Sequence, residues 1–194
     1  MKPNLKPLGI KRFKINCDTR LATSAFDFDV RRYIGGLTAL EELDLRVNYL
    51  TSVPAAFSGL TALTDLHLGE NQLMSVPAAL GGLTRLEVLD LSENKLEAVP
   101  AEFGGLSALY SLHLNANQLT SLPAELGGLS KLTELHLDRN PLTSVPAGLG
   151  GLTALTTLRL SRRNQLPIMP AEWMKGGSLE HGGCRININF YYEN

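Results

Sequence analysis

From Leu40 to Leu179 the apolar positions are dominated by leucine and fall into a recurring pattern. One copy reads Leu109-Tyr-Ser-Leu112-His-Leu114-Asn-Ala-Asn117-Gln-Leu119-Thr-Ser-Leu122-Pro123-Ala-Glu-Leu126-Gly127-Gly128-Leu129. The Leu112-x-Leu114 step has period two, which predicts a short strand with both leucines inward and His113 outward. Equivalent pairs are Leu43/Leu45, Leu66/Leu68, Leu89/Leu91, Leu135/Leu137 and Leu158/Leu160. The Pro-Ala-x-Leu segment suits one turn of α- or 3-10 helix with proline at its first position. The Gly-Gly pair that follows is expected to supply backbone freedom for the return to the next strand.

The spacing turns these elements into an architecture. Asn48, Asn71, Asn94, Asn117, Asn140 and Asn164 recur at intervals of 23 residues, the last at 24. Each unit is too small to bury its own apolar face, so the units must stack into a solenoid with one parallel strand per repeat. The asparagine falls where the chain bends out of the strand. Its amide both donates and accepts, so a buried stack of asparagines can satisfy the polar groups of the turns. All six are read as structural rather than ligand-binding.

The ends depart from the pattern, as the ends of an array must. The sixth unit carries one extra residue in Ser161-Arg162-Arg163-Asn164 and two more before Gly176-Gly177. Carrying both shifts forward places Cys184 and Ile186 at the positions of Leu158 and Leu160, and Asn189 at the asparagine position. This predicts a degenerate capping strand over residues 184–190, with Trp173 covering the end of the core. At the other end, Ser24-Ala-Phe26-Asp27 resembles a capping box. Phe26, Val30, Tyr33, Ile34 and Leu37 follow at helical spacing, predicting a capping helix over 24–34. Phe13, Ile15 and Cys17 alternate weakly, which suits an added strand or a tail. The expected organisation is a tail and capping helix (1–39), six repeats (40–178) and a capping strand (179–194).

These repeats resemble the leucine-rich repeat family, in its 23-residue intracellular class. Their L-P-x-x-L-G-x-L second half is similar to that of Ras-adaptor scaffold proteins and plant intracellular Ras-group-related leucine-rich repeat proteins. The G-x-I-P pattern of plant receptors is absent, and so are the cysteine-rich caps of extracellular members. The resemblance implies an α/β solenoid. A curved parallel sheet would line the concave side, short helical or 3-10 turns the convex side, and a protein partner would dock on the sheet.

Charge and cysteine usage narrow the function classes. The net charge of -1 conceals a basic segment, residues 1–34 at +5, and an acidic one, residues 35–125 at -8. A nucleic-acid binder carries a basic stripe along its working face, whereas the central repeats here are acidic. Cys17 and Cys184 lie near opposite ends of the array. About seven strands at about 4.8 Å would hold them roughly 30 Å apart, beyond the reach of a disulfide. There is no N-x-S/T sequon, no apolar leader-like stretch and no run of apolar residues of membrane-spanning length. A reduced, cytoplasmic protein is expected, with no membrane span and no nucleic-acid partner.

The outward strand positions carry the candidate chemistry. The residues between the leucine pairs form the column Asp44, His67, Asp90, His113, His136, Arg159. Beside it run Glu42, Asp65, Val88, Ser111, Glu134, Thr157 and Arg46, Gly69, Ser92, Asn115, Asp138, Ser161, with Arg139 and Arg162 further out. The expected partner-binding residues are Asp44, Arg46, Asp65, His67, Asp90, His113, Asn115, Glu134, His136, Asp138, Arg159 and Arg162. They form a strip graded from acidic to basic that would steer a partner of opposite gradient. Asp90 between His67 and His113 should favour their protonated forms and make the strip pH-sensitive. Asp90, His113 and His136 offer two imidazoles and a carboxylate to zinc, but a flat ladder supplies no obvious fourth ligand. No phosphate-binding Gly-Lys-Ser/Thr loop and no cysteine–histidine nucleophile pair is present. The reading is a non-enzymatic protein-interaction module, adaptor or recognition subunit, without a cofactor. The alternatives are a metal-dependent or pH-sensitive site on the Asp/His column, or association of the basic N-terminus with lipid or nucleic acid.

Overall fold

The computed structural model describes residues 10–14, 37–161 and 164, and the backbone of the strands between 174 and 191. Seven strands run from β1 (Arg12–Lys14) through β2 (Glu42–Asp44), β3 (Asp65–His67), β4 (Val88–Asp90), β5 (Ser111–His113) and β6 (Glu134–His136) to β7 (Thr157–Ser161). Four more follow: β8 (Met174–Lys175), β9 (Ser178–His181), β10 (Cys184–Arg185) and β11 (Asn187–Tyr191). β1 to β7 and then β11 form an eight-stranded parallel sheet in that order. Five 3-10 turns, Ala55–Gly59, Ala78–Gly82, Ala101–Gly105, Ala124–Gly128 and Ala147–Gly151, form the convex side. The result is an open, curved α/β solenoid.

The leucines build the core as the period-two step requires. Leu43, Leu66, Leu89, Leu112, Leu135 and Leu158 are paired in register along the sheet, and none is more than 1% exposed. Phe57, Leu80, Phe103, Leu126 and Leu149 close the core from the convex turns. Truncating one such leucine to alanine is expected to cost about 2–5 kcal/mol.

The asparagines form the expected ladder, and it couples each repeat to the one before. The Nδ2 of Asn94 donates to the carbonyls of Leu68, Leu91 and Ser92, while its Oδ1 accepts from the Leu73 amide. Asn71, Asn117 and Asn140 repeat this set one unit away in either direction and beyond. Asn164, despite the inserted residue, still donates to the carbonyls of Leu137 and Asn140.

Three details differ from expectation. Proline precedes the 3-10 turn rather than opening it, at φ near -60° with extended ψ, and its carbonyl accepts the first turn bond. Among the described residues, the glycine pairs 81/82, 104/105 and 127/128 are not used for left-handed backbone. Instead, a Cβ on Gly81 or Gly104 would collide with the carbonyl of Glu102 or Glu125 in the following turn, and one on Gly127 with that of Gly148. Glycine here permits close approach between convex turns. The capping strand is four residues later than expected: Ile188 and Phe190, not Cys184 and Ile186, pair with Leu158 and Leu160, and Asn189 pairs with Arg159. Cys184 lies in β10, which pairs antiparallel with β9 in a separate three-stranded sheet. It therefore does not take the place of a core leucine in the main sheet.

At the N-terminal edge, Phe13 pairs with Leu43 and packs against the core, so the weakly alternating segment does add a strand. The expected helix over 24–34 and Trp173 lie outside the described residues. Among the described residues, no helix is long and apolar enough to cross a membrane.

Candidate functional site

The parallel register converts the outward positions into columns. Asp44, His67, Asp90, His113, His136 and Arg159 are consecutive partners along one column, and Glu42, Asp65, Val88, Ser111, Glu134 and Thr157 along the next. The ladder continues past the strands: the amides of Leu45, Leu68, Leu91, Leu114 and Leu137 donate to the carbonyls of His67, Asp90, His113, His136 and Arg159 on the next strand. Those of Val47, Glu70, Glu93 and Ala116 donate to the carbonyls of Gly69, Ser92, Asn115 and Asp138, so the outer column stays aligned. Arg162 lies outside the described residues.

The acidic pole is more neutralised than charge counting implies. Asp44 is buried and accepts from the Arg46 guanidinium at 2.9 and 3.0 Å, and Lys14 Nζ lies 2.8 Å away. The Arg46 hydrogen bonds, then Lys14, hold the Asp44 carboxyl far below its usual range despite burial. Arg12 pairs with Glu42 at 3.1 Å and Lys11 with Glu41 at 2.9 Å. Lys11 and the two cations of β1, Arg12 and Lys14, thus dock along the acids of the first repeat. The Lys11–Glu41 and Arg12–Glu42 pairs lie in solvent and contribute little to stability, but with Lys14–Asp44 they occupy three of the basic side chains considered above for lipid or nucleic acid.

Asp90 is buried and engaged within its own strand end, where its Oδ1 accepts from the Ser92 amide (3.0 Å) and hydroxyl (2.6 Å). Gly69 makes room for it, since a Cβ there would stand 3.0 Å from the Asp90 carboxylate.

The two central histidines form the most specific feature of the face. The rings of His113 and His136 stack at 4.2 Å between centroids and 8° between planes. Ser111, two residues before His113 and therefore on the same face, places its hydroxyl 3.1 Å from His113 Nε2 and 3.4 Å from Glu134 Oε2. Burial lowers the His113 pKa, outweighing the raising influence of Asp90 and Glu134. His136 is pushed down to about 4 by burial first, then by His113 and Arg159. Asp90 does favour the protonated form of His113 as expected, but desolvation exceeds that pull and the net shift is downward. His113, Glu134 and His136 bring one ligand atom each within 4.8 Å of one another. The carboxylate of this cluster is Glu134 rather than Asp90. Sequence reasoning missed Ser111 as the link and treated Glu134 as belonging to a separate strip; the in-register pairing of Ser111 with Glu134 was the signal.

These columns on a stacked parallel sheet are those of a repeat-protein scaffold, and the comparisons specify which. The family model described as leucine rich repeat matches residues 31–73, and that described as leucine-rich repeat region matches residues 78–171. The chain belongs to the leucine-rich repeat family. Among solved structures it is similar to a leucine-rich repeat protein of Leptospira interrogans. That match has 39% identity and a TM-score of 0.67, over 71% of this chain and 35% of that one. It is also similar to the leucine-rich repeat ectodomain of the Arabidopsis thaliana receptor kinase GASSHO1/SCHENGEN3, solved in complex with CASPARIAN STRIP INTEGRITY FACTOR 2. There the identity is 37% and the TM-score 0.61, over 66% of this chain and 17% of that one. A third likeness, at 36% identity and a TM-score of 0.59, is to a plant peptide hormone receptor in complex with RGF2, over 66% of this chain and 22% of that one. The chain thus spans between about a sixth and about a third of the length of these neighbours. No curated protein matches it. The family and its receptor-like neighbours support a protein–protein interaction module.

Proposed function

We propose that this chain is a non-enzymatic recognition module, an adaptor or the recognition part of a larger assembly, that holds a protein partner on its concave sheet. The observation that carries this reading is a contrast within the repeat. Inward positions are leucine in strand after strand, whereas the outward column runs Asp44, His67, Asp90, His113, His136, Arg159. A scaffold needs only the first set; a face whose chemistry changes at each step suits recognition of one particular surface. The partner-contacting set is Asp44, Arg46, Asp65, His67, Asp90, His113, Asn115, Glu134, His136, Asp138, Arg159 and Arg162. Because β1 pairs off the acids of the first repeat, the unneutralised acidic centre sits near Asp65 and Asp90, with arginine toward the C-terminal side. The receptor-kinase ectodomain and the plant peptide hormone receptor named above were each solved in a complex, which is consistent with a recognition role. An intracellular location is part of the proposal, on the strength of the missing sequons and disulfide framework.

The test is affinity capture from source cells by wild type, by a concave variant (Asp65→Arg/His67→Glu/Asn115→Arg) and by a convex variant (Glu102→Arg/Glu125→Arg), each with a native circular dichroism spectrum. A protein held by wild type and the convex variant but lost by the concave one, and then binding directly when purified, supports the reading. Loss with the convex variant and retention by the concave one would move the site to the turns and refute it.

A further inference from the structure

The geometry points to a divalent transition-metal site of the zinc class on the concave face, formed by His113, Glu134 and His136. Two imidazoles and one carboxylate are a donor set that zinc accepts with three protein ligands, leaving a fourth position for water or an incoming group. The ligand atoms lie within 4.8 Å of one another. Ligands about 2.0–2.2 Å from a tetrahedral ion sit about 3.4 Å apart, so closure requires the donor atoms to approach by at most about 1.4 Å, together with reorientation of the rings.

The cluster already brings the three donors to one place on the face. The rings stack at 4.2 Å with 8° between planes, so both imidazoles must rotate out of the stack to bring one nitrogen each onto a common ion. Glu134 is exposed and can swing onto the ion from the neighbouring column. Ser111 touches both His113 Nε2 and Glu134 Oε2, marking where ring edge and carboxylate already converge, and it can serve as the outer partner that orients them. The carboxylate of Glu134 and its hydroxyl link through Ser111 add the third donor to the stacked pair.

The donor chemistry selects the ion. Calcium and magnesium require six or more oxygen ligands, which this cluster does not provide, whereas mixed nitrogen and oxygen donors suit zinc, nickel and copper. Asp90 beyond His113 adds negative potential and Arg159 beyond His136 subtracts it, so binding is expected to be weaker than at a closed structural zinc site. The inference stands whether or not a protein docks on the same sheet, and its test involves the metal alone.

The experiment is isothermal titration of the full chain with zinc near pH 7.5, with cobalt as a spectroscopic probe of coordination. Expected is saturable binding of one ion, weakened at least tenfold in His113→Ala, His136→Ala and Glu134→Gln, and unchanged in His67→Ala. Glu134→Gln alters an exposed side chain and keeps the test readable should a histidine variant fail to fold. Absence of saturable binding overturns the proposal. So does binding that survives in His113→Ala/Glu134→Gln, or that disappears only in Cys17→Ser/Cys184→Ser.

Discussion

Replacing Asn117 with alanine isolates what one rung of the asparagine ladder contributes. The side chain makes three close bonds: Oδ1 accepts from the Leu96 amide at 2.9 Å, and Nδ2 donates to the Leu91 carbonyl at 2.9 Å and the Leu114 carbonyl at 3.1 Å. The losses are unequal. The Leu91 carbonyl still accepts from Asn94 at 3.2 Å, and the Leu114 carbonyl from Asn140 at 2.9 Å. Only the Leu96 amide, in a buried residue, is left without its acceptor. An orphaned buried donor costs about 1–3 kcal/mol, so about 2 kcal/mol is expected. With a urea m-value of about 2–3 kcal/mol/M, the unfolding midpoint should fall by about 0.7–1 M at unchanged m. The assay is urea denaturation followed by circular dichroism, with exposed Gln118→Ala as a control expected within about 0.5 kcal/mol of wild type. Asn117→Asp supplies a second arm. It keeps an acceptor for Leu96 but turns an oxygen onto two carbonyls, which raises the pKa of the new carboxyl in the folded state. That variant should be worse than alanine at neutral pH and recover as the solution is acidified. An Asn117→Ala midpoint within about 0.2 M of wild type would refute the view that the ladder is needed to satisfy the turns.

Three further outcomes follow from particular residues. His136 has a folded pKa of about 4, below its ordinary 6.5. Its contribution to stability is therefore present above about pH 6.5 and lost as pH falls toward 4. Denaturation across that range should show the loss in wild type and a flatter profile in His136→Gln; identical profiles would contradict burial as the dominant cause. Val47 is β-branched, 54% exposed and held at φ 57°, a region that costs an L-residue about 1–2 kcal/mol and that asparagine tolerates. Val47→Asn should raise the melting temperature by about 2–4 °C, and a decrease would show that the side chain contributes packing. Gly81→Ala should destabilise, because its Cβ meets the Glu102 carbonyl. Gly82→Ala, with nothing within 4 Å of its Cβ, should be neutral or stabilising by up to about 1 kcal/mol. Equal effects in thermal melts would refute the close-approach role of the first glycine.

The solenoid was legible because two signals with different physical origins agree. The period-two leucine step sets which face is buried, and the 23-residue interval sets the register of each strand on the next. With both in hand, the columns of β2 to β7 follow without coordinates, and the observed pairs His67↔Asp90, Asp90↔His113 and His113↔His136 are those the spacing requires. At the C-terminal edge the interval is lost and only alternation remains. Cys184/Ile186 and Ile188/Phe190 have the same parity, so alternation cannot separate two registers four residues apart. The choice falls to tertiary structure, which uses Cys184 in the antiparallel pairing of β10 with β9 and gives Ile188 and Phe190 to the main sheet. The histidine pair fails to be legible for a different reason. Sequence reveals the charges beside His113 but not the burial of the ring, and burial is the larger influence. It also presents Ser111 and Glu134 as one column and His113 and His136 as another, whereas aromatic and long side chains reach diagonally across columns that are about 7–8 Å apart. Chemistry on such a sheet belongs to diamonds of neighbouring positions rather than to single columns. That is why the carboxylate that shares a cluster with the histidine pair is Glu134, one column over, while the carboxylate of Asp90, one step along, is engaged by Ser92.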